Sequence, residues 1–239
     1  MVGQDQAVVE VRRSATRGHF HHGWLETYHS FSFGDYHDPA RMGYRSLRVI
    51  NEDWVAPGNG FGMHPHRDME IVTYVLEGAL EHGDSLGNGG PIRAGEFQRM
   101  TAGTGIRHGE RNGSDSEAVH LYQIWLLPER RNLEPGYEQK AFDPAGRQGR
   151  WQVVASRDGR EGSLTIHQDA TLALAMLADG QRLAANLGAD RHGWLQVVRG
   201  QVRVGSETLE AGDAATFAAG PEVVVEGIGQ AEVLLFDLA

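Results

Sequence analysis

Tyr74-Val75-Leu76-Glu77-Gly78-Ala79-Leu80, followed by Ala94-Gly95-Glu96-Phe97, returns later as Gln196-Val197-Val198-Arg199-Gly200-Gln201-Val202, followed by Ala211-Gly212-Asp213-Ala214. Each copy is a short run of β-branched and apolar residues, a glycine turn, a second run, and then Ala-Gly-acid. A separation of about 120 residues is too long for a solenoid repeat and fits two copies of one β-domain. The sequence therefore predicts two similar barrels.

Other segments have the same character. Leu47-Arg48-Val49-Ile50 and Val119-His120-Leu121-Tyr122-Gln123-Ile124-Trp125 are short, apolar or aromatic, and bounded by turn-forming residues. No long stretch repeats with a helical period, and Thr171 to Leu177, despite good helix formers, alternates Leu172, Leu174 and Met176 with alanines and reads as a strand. Thirty-two glycines against eight prolines suit many tight turns. From Pro128 to Arg150, charged residues, Pro and Gly crowd into a stretch with little apolar patterning, which marks a connection.

The 239 residues are enough for one large domain or two small ones, each with a proper core. Thirty-two acidic residues outweigh 22 basic ones, a formal charge of −10, which argues against nucleic acid and anionic lipid as partners. The absence of cysteine removes disulfides, thiolate metal sites and cysteine nucleophiles, so a metal here must be held by nitrogen and oxygen. The first residues carry no basic and apolar leader pattern, and no apolar run approaches the ~20 residues of a span; the expected setting is the cytoplasm.

His64-Pro65-His66 carries the first chemical content, because residues i and i+2 of a strand project to one face and two imidazoles can converge on one ion. His108 and Glu110 repeat that spacing on a second segment, Gly103-Thr104-Gly105-Ile106-Arg107-His108-Gly109-Glu110. Two such strands supply three nitrogens and one oxygen to a common point. Neither G-x-S-x-G nor a Walker A string occurs, and Gly103-x-Gly105 leads into a histidine strand rather than a helix, so esterase, nucleotide-hydrolase and dinucleotide readings lack their core motifs.

Gly58, His64, His66 and Glu70, with Gly105, His108 and Asn112, resemble the two motifs of the cupin superfamily. Gly78 lies one residue late, and Gly103 stands where that motif has proline. His22-Gly23-Trp24-Leu25, Phe31-Ser32-Phe33, Arg48-Val49-Ile50-Asn51, His64 through Glu70, Gly103 through His108 and Leu121 through Trp125 together resemble the pirin family, especially bacterial members described as quercetin 2,3-dioxygenases. The likeness is strongest over residues 18 to 128.

That resemblance implies an all-β fold of two tandem cupin-type barrels of double-stranded β-helix (jelly-roll) form. The implied division is a metal-binding barrel over 1–135, a connection over 136–150, and a cupin-like barrel without metal ligands over 151–239. The implied metal ligands are His64, His66, His108 and Glu110, with Glu70 a salt-bridged or rim carboxylate and not a ligand. Three imidazoles and a carboxylate suit one divalent transition ion, iron(II) first, with Mn, Ni, Co, Cu and Zn compatible. The implied reaction is dioxygenase opening of a flavonol such as quercetin with O2 and loss of carbon monoxide. A carboxylate beside a cation can exchange roles, so Glu110 is expected to be the catalytic residue as well, taking the substrate proton as its bond to the metal weakens.

The rival reading is a metal-binding regulatory protein of the pirin type that contacts another protein, its oxygenase activity incidental; other cupin chemistry, such as isomerisation, ranks third. His82, His120, His167 and His192 read as surface or hydrogen-bonded histidines, and His19, His21 and His22 as loop or structural residues. Two fused barrels already mimic a cupin dimer, so a monomer is expected.

Overall fold

The computed structural model describes residues 9–220 and 222–239. Apart from three short 3-10 turns, Ser14–Thr16, Pro144–Arg147 and Arg160–Gly162, its regular elements among the described residues are strands, including Ala170–Leu177. No helix is long and apolar enough to cross a membrane. The chain divides into two compact units.

One unit comprises Arg17–Phe142 and Arg157–Gln168. Its larger sheet runs in the order Gly136–Ala141, Glu96–Thr101, Glu70–Glu77, Val119–Leu126, Leu47–Val55, Leu25–His29, Gly18–His21, antiparallel throughout. Its smaller sheet runs Gly60–His66, Ile106–Asn112, Ala79–Asp84, Gly89–Arg93. Residues 157–168 belong to this unit for concrete reasons: Lys140 Nζ donates to the carbonyls of Gly162 and Ser163, and His167 N donates to Glu70.

The period-2 geometry of a strand sorts this unit's side chains into rows. His29, Asn51, Gln123, Thr73 and Gln98 stand side by side across five successive strands and form a polar row. Toward one end the core becomes apolar through Leu25, Val55, Val75, Val119 and Leu121, and toward the other through Ile71, Met100 and Ile106. Five polar groups in one such row need partners, because an unpaired buried polar group costs about 1–3 kcal/mol. The partners identify the site described below.

The other unit comprises the described residues of 9–16, 143–156 and 169–239. Its sheet runs Glu10–Arg12, Ala214–Ala218, His192–Val204, Val223–Leu238, Ala170–Leu177, Gln152–Ser156, with Glu207–Glu210 on His192–Val204 and Arg182–Ala185 on Val223–Leu238. Leu195, Val197, Val202, Phe217, Val225 and Val233 are among its buried core residues. The strand Glu10–Arg12 joins it by pairing with Ala214–Thr216, a join fixed by Arg13 Nη1 and Ser14 N on the Asp213 carboxylate at 3.0 and 2.6 Å.

The repeated phrase has a backbone cause. Gly78 and Gly200 sit at φ +75° and +73°, in the left-handed region that costs other residues but not glycine; Gly78 separates Glu70–Glu77 from Ala79–Asp84, whereas Gly200 lies inside His192–Val204, where the pairing register with Val223–Leu238 shifts, so the turn expected there is an irregularity within one long strand. The extra residue before Gly78 is taken up as a β-bulge: His120 faces Glu77 while Leu121 faces Val75, so Leu76 is left over.

Candidate metal centre

His64 and His66 lie on Gly60–His66, and His108 and Glu110 on Ile106–Asn112; the two strands are antiparallel with His64 opposite His108 and His66 opposite Ile106. The register shifts between His108 and Glu110, a bulge that leaves Glu110 facing Phe61. Three imidazoles converge as a result, with ring centroids 4.5 to 4.9 Å apart and one nitrogen from each within 4.8 Å of the others.

His64 Nδ1 lies 2.7 Å from the Gly62 carbonyl, an arrangement in which Nδ1–H donates and Nε2 keeps its lone pair for an ion. His108 is buried, yet neither of its ring nitrogens has a hydrogen-bond partner among the described residues. A divalent cation satisfies such an orphaned nitrogen, so the residues present fit the metal that a cupin site holds. Burial holds His66 and His108 at about 4, so both imidazoles are neutral at neutral pH, as metal ligation requires.

Glu110 is buried beside these rings and falls in an adjoining group with His108 and His82. Gln98 Nε2 donates to its Oε1 at 2.8 Å and Gln123 Nε2 to its Oε2 at 2.7 Å, so two residues of the polar row hold it. Trp125 Nε1 in turn donates to Gln123 Oε1 at 3.1 Å, and Gln98 Nε2 also reaches Thr73 Oγ1 at 3.0 Å. Burial alone raises the Glu110 carboxyl, but His82, His108 and the Gln98 amide together bring it below its ordinary value.

His82 departs from the surface alternative given by sequence. It is 4% exposed, stacks on Tyr137 at 4.7 Å, and has Nε2 3.4 Å from Asp84 and Nδ1 3.9 Å from Glu110. The pairing of Ile106–Asn112 with Ala79–Asp84 sets Glu110 opposite His82, a long-range register that spacing along the chain does not disclose. His120 is hydrogen-bonded, 3.1 Å from Glu52 and stacked on Trp54. His167 lies 3.3 Å from Glu70, which is fully buried, bonded also by Thr101, and outside both metal-competent groups. Glu70 is thus a buried internal anchor and not a rim residue.

A cavity of about 360 Å³ opens against the cluster, and His64, His66, Glu110 and Gln123 form part of its wall. Phe20, Phe33, Phe61 and Trp125 give it aromatic sides, and Asn51, Asp35 and Asp53 add polar points. Among the described residues no lysine or arginine lines it. His22 and His29 also face it, so of the amino-terminal histidines His22 reaches the cavity, while His19 stacks on Tyr28 and pairs with Glu26. Alternation inside the strand Val119–Leu126 carried a signal for one of these wall residues, since Gln123 is a polar residue on the face that holds Leu121 and Trp125.

Gly103 explains the missing motif proline. It sits at φ +48°, which the proline ring cannot adopt, and a Cβ there would collide with the Leu133 carbonyl. That tight turn delivers the chain into the strand of His108 and Glu110.

A two-histidine strand facing a His-x-Glu strand inside an antiparallel barrel defines a cupin-type metal site. The pirin family model matches residues 8–126, and the model for the quercetinase C-terminal cupin domain matches residues 153–238. The chain is 47% identical over 231 residues to quercetin 2,3-dioxygenase of Escherichia coli (strain K12), covering 97% of this chain and 99% of that protein. It is 40% identical to a pirin-like protein of Caulobacter vibrioides over 91% of this chain and 94% of that one. Among solved structures it superposes on Escherichia coli YhhW with a TM-score of 0.93 at 46% identity, covering 97% and 98% of the two chains. The bacterial pirin YhhW in complex with nickel(II) matches with a TM-score of 0.92, again at 46% identity, covering 97% and 99%. The chain belongs to the pirin family, and its site is a cupin site for a divalent metal.

Proposed function

We propose that this protein is a metal-dependent dioxygenase that opens the ring of a quercetin-like flavonol with O2 and releases carbon monoxide. The observation that carries the reading is a three-imidazole cluster opening directly onto a cavity with aromatic walls and no cationic side chain among its described lining. A planar, hydroxyl-bearing aromatic molecule matches that wall, whose described side chains include no lysine or arginine to pair a carboxylate or phosphate away from the metal. The naming of the Escherichia coli relative as quercetin 2,3-dioxygenase supports the same substrate class.

His64, His66, His108 and Glu110 are the proposed ligands, and iron(II) the proposed resident ion, within a cytoplasmic and monomeric protein. A divalent ion supplies a Lewis-acidic centre that stabilises an ionised substrate hydroxyl and passes electron density to dioxygen. The chain's own contributions are distinct. Gln98 and Gln123 fix the Glu110 carboxylate, the His64–Gly62 contact fixes an imidazole, and the aromatic walls orient a flat substrate and exclude water.

The test is aerobic quercetin turnover by native, metal-stripped and iron-reloaded protein alongside His64→Ala, with metal quantified and carbon monoxide measured. Metal-dependent loss of flavonol absorbance with stoichiometric carbon monoxide is the expected result. Full metal occupancy with no turnover would refute the quercetinase reading and favour the regulatory one.

A further inference from the structure

Asp53 lies on Leu47–Val55, 4% exposed, and reaches the same cavity as His64, His66 and Glu110. Thr27 Oγ1 donates to its Oδ1 at 2.5 Å, and among the described residues Oδ2 has no hydrogen-bond partner. A carboxylate is acceptor-only when ionised, so the unpartnered oxygen beside the cavity lacks a donor. Glu110 is differently placed, because both its oxygens already accept amide N–H bonds. Of the two buried carboxylates, Asp53 has the vacant acceptor position.

We propose that Asp53 is the catalytic residue that accepts the hydroxyl proton of the bound flavonol. The assignment rests on the dioxygenase reading above. The substrate O–H bond breaks with its electron pair left on the substrate oxygen, the proton forms an O–H bond on Asp53, and it returns to an oxyanion of the product so that the carboxylate is regenerated. No further reactant is required.

The charges around Asp53 suit the task. The titratable groups that share its cavity are His22, His29, Asp35, His64, His66 and Glu110, and Glu52 lies next to it in the chain. In the metal-free fold, burial, opposed by the Thr27 hydrogen bond and reinforced by Glu110 and Glu52, pushes the Asp53 carboxyl up to about 7.

The experiment compares wild-type, Asp53→Asn and Thr27→Val metal-loaded proteins by anaerobic binding of quercetin, then by turnover in air. An ionised flavonol absorbs at longer wavelength than the neutral molecule, which gives a readout independent of turnover. Wild type should bind quercetin in the ionised form at pH 7. Asp53→Asn should keep its metal, bind the neutral form, and lose at least about 100-fold in kcat, the usual contribution of a positioned base. Thr27→Val should keep the ionised form, with the acidic limb of its rate profile moved to higher pH, because the lost donor no longer favours the carboxylate.

An Asp53→Asn protein that ionises quercetin and turns over within about threefold of wild type overturns the assignment and leaves the dioxygenase reading intact. Loss of metal from that variant also overturns it, in favour of a structural role. If Asp53→Asn does not fold, Thr27→Val decides, and an unmoved acidic limb overturns the assignment. Wild-type protein that neither binds nor consumes quercetin overturns the dioxygenase reading and this assignment with it.

Discussion

Replacing Asp53 by asparagine should stabilise the metal-stripped protein about 3 kcal/mol more at pH 8 than at pH 4.5. The carboxyl is buried, and its proton affinity in the fold lies near 7 against an ordinary 3.8. Because the folded value is the higher, the stability linked to this proton is fully present below about pH 3.8 and is lost as pH rises through 7. At about 1.4 kcal/mol per tenfold change in acidity, the loss is on the order of 4 kcal/mol. Asparagine has nearly the same shape, accepts the Thr27 hydroxyl and has no charge to bury, so it escapes that loss. His29, His66 and His108, held at about 4, act in the opposite sense: the stability linked to them is present above about 6.5 and lost as pH falls toward 4. They are common to both proteins, so the difference between variant and wild type isolates Asp53. Urea unfolding of both proteins across pH 4.5 to 8 measures it. A difference that stays flat within 1 kcal/mol would refute the reasoning, since Asp53 would then titrate as an ordinary surface carboxylate.

Three further outcomes are expected. His64→Ala should lose stoichiometric metal, as read by elemental analysis after dialysis against a weak chelator. Gln123→Ala removes one of the two amide donors on Glu110 and should weaken metal affinity by about 10- to 100-fold in a competitive chelator titration, the usual cost of a lost orienting partner. Gly103→Ala forces a side chain into a left-handed position against the Leu133 carbonyl and should cost at least about 1–3 kcal/mol in urea unfolding.

The features legible in the sequence are those fixed by neighbours in the chain. His64 with His66, and His108 with Glu110, are i, i+2 pairs, and a strand's two-residue period is enough to put each pair on one face. Gly78 announced a turn and Gly200 a left-handed backbone position within a strand, because glycine alone tolerates them. Gln98, Gln123, His82 and Asp53 matter because of partners that lie 12 to 28 residues away in the chain: the strand register sets His82 against Glu110 and Thr27 against Asp53, and Gln98 and Gln123 reach Glu110 from the other sheet. Phe20 and His22 reach the cavity from the amino-terminal hairpin, whose docking no local pattern encodes.

The smaller sheet treats the two ligand strands unequally. Ile106–Asn112 is flanked on both sides, by Gly60–His66 and Ala79–Asp84, whereas Gly60–His66 is an edge strand and is paired on one side only. Two of the three clustered imidazoles therefore ride on the strand most easily peeled away, and an ion bridging His64 and His66 to His108 would act as a rivet across that seam. Amide exchange along residues 60–66 should then report occupancy, slow when the ion is in place and fast when it is stripped, while exchange along 106–112 changes little.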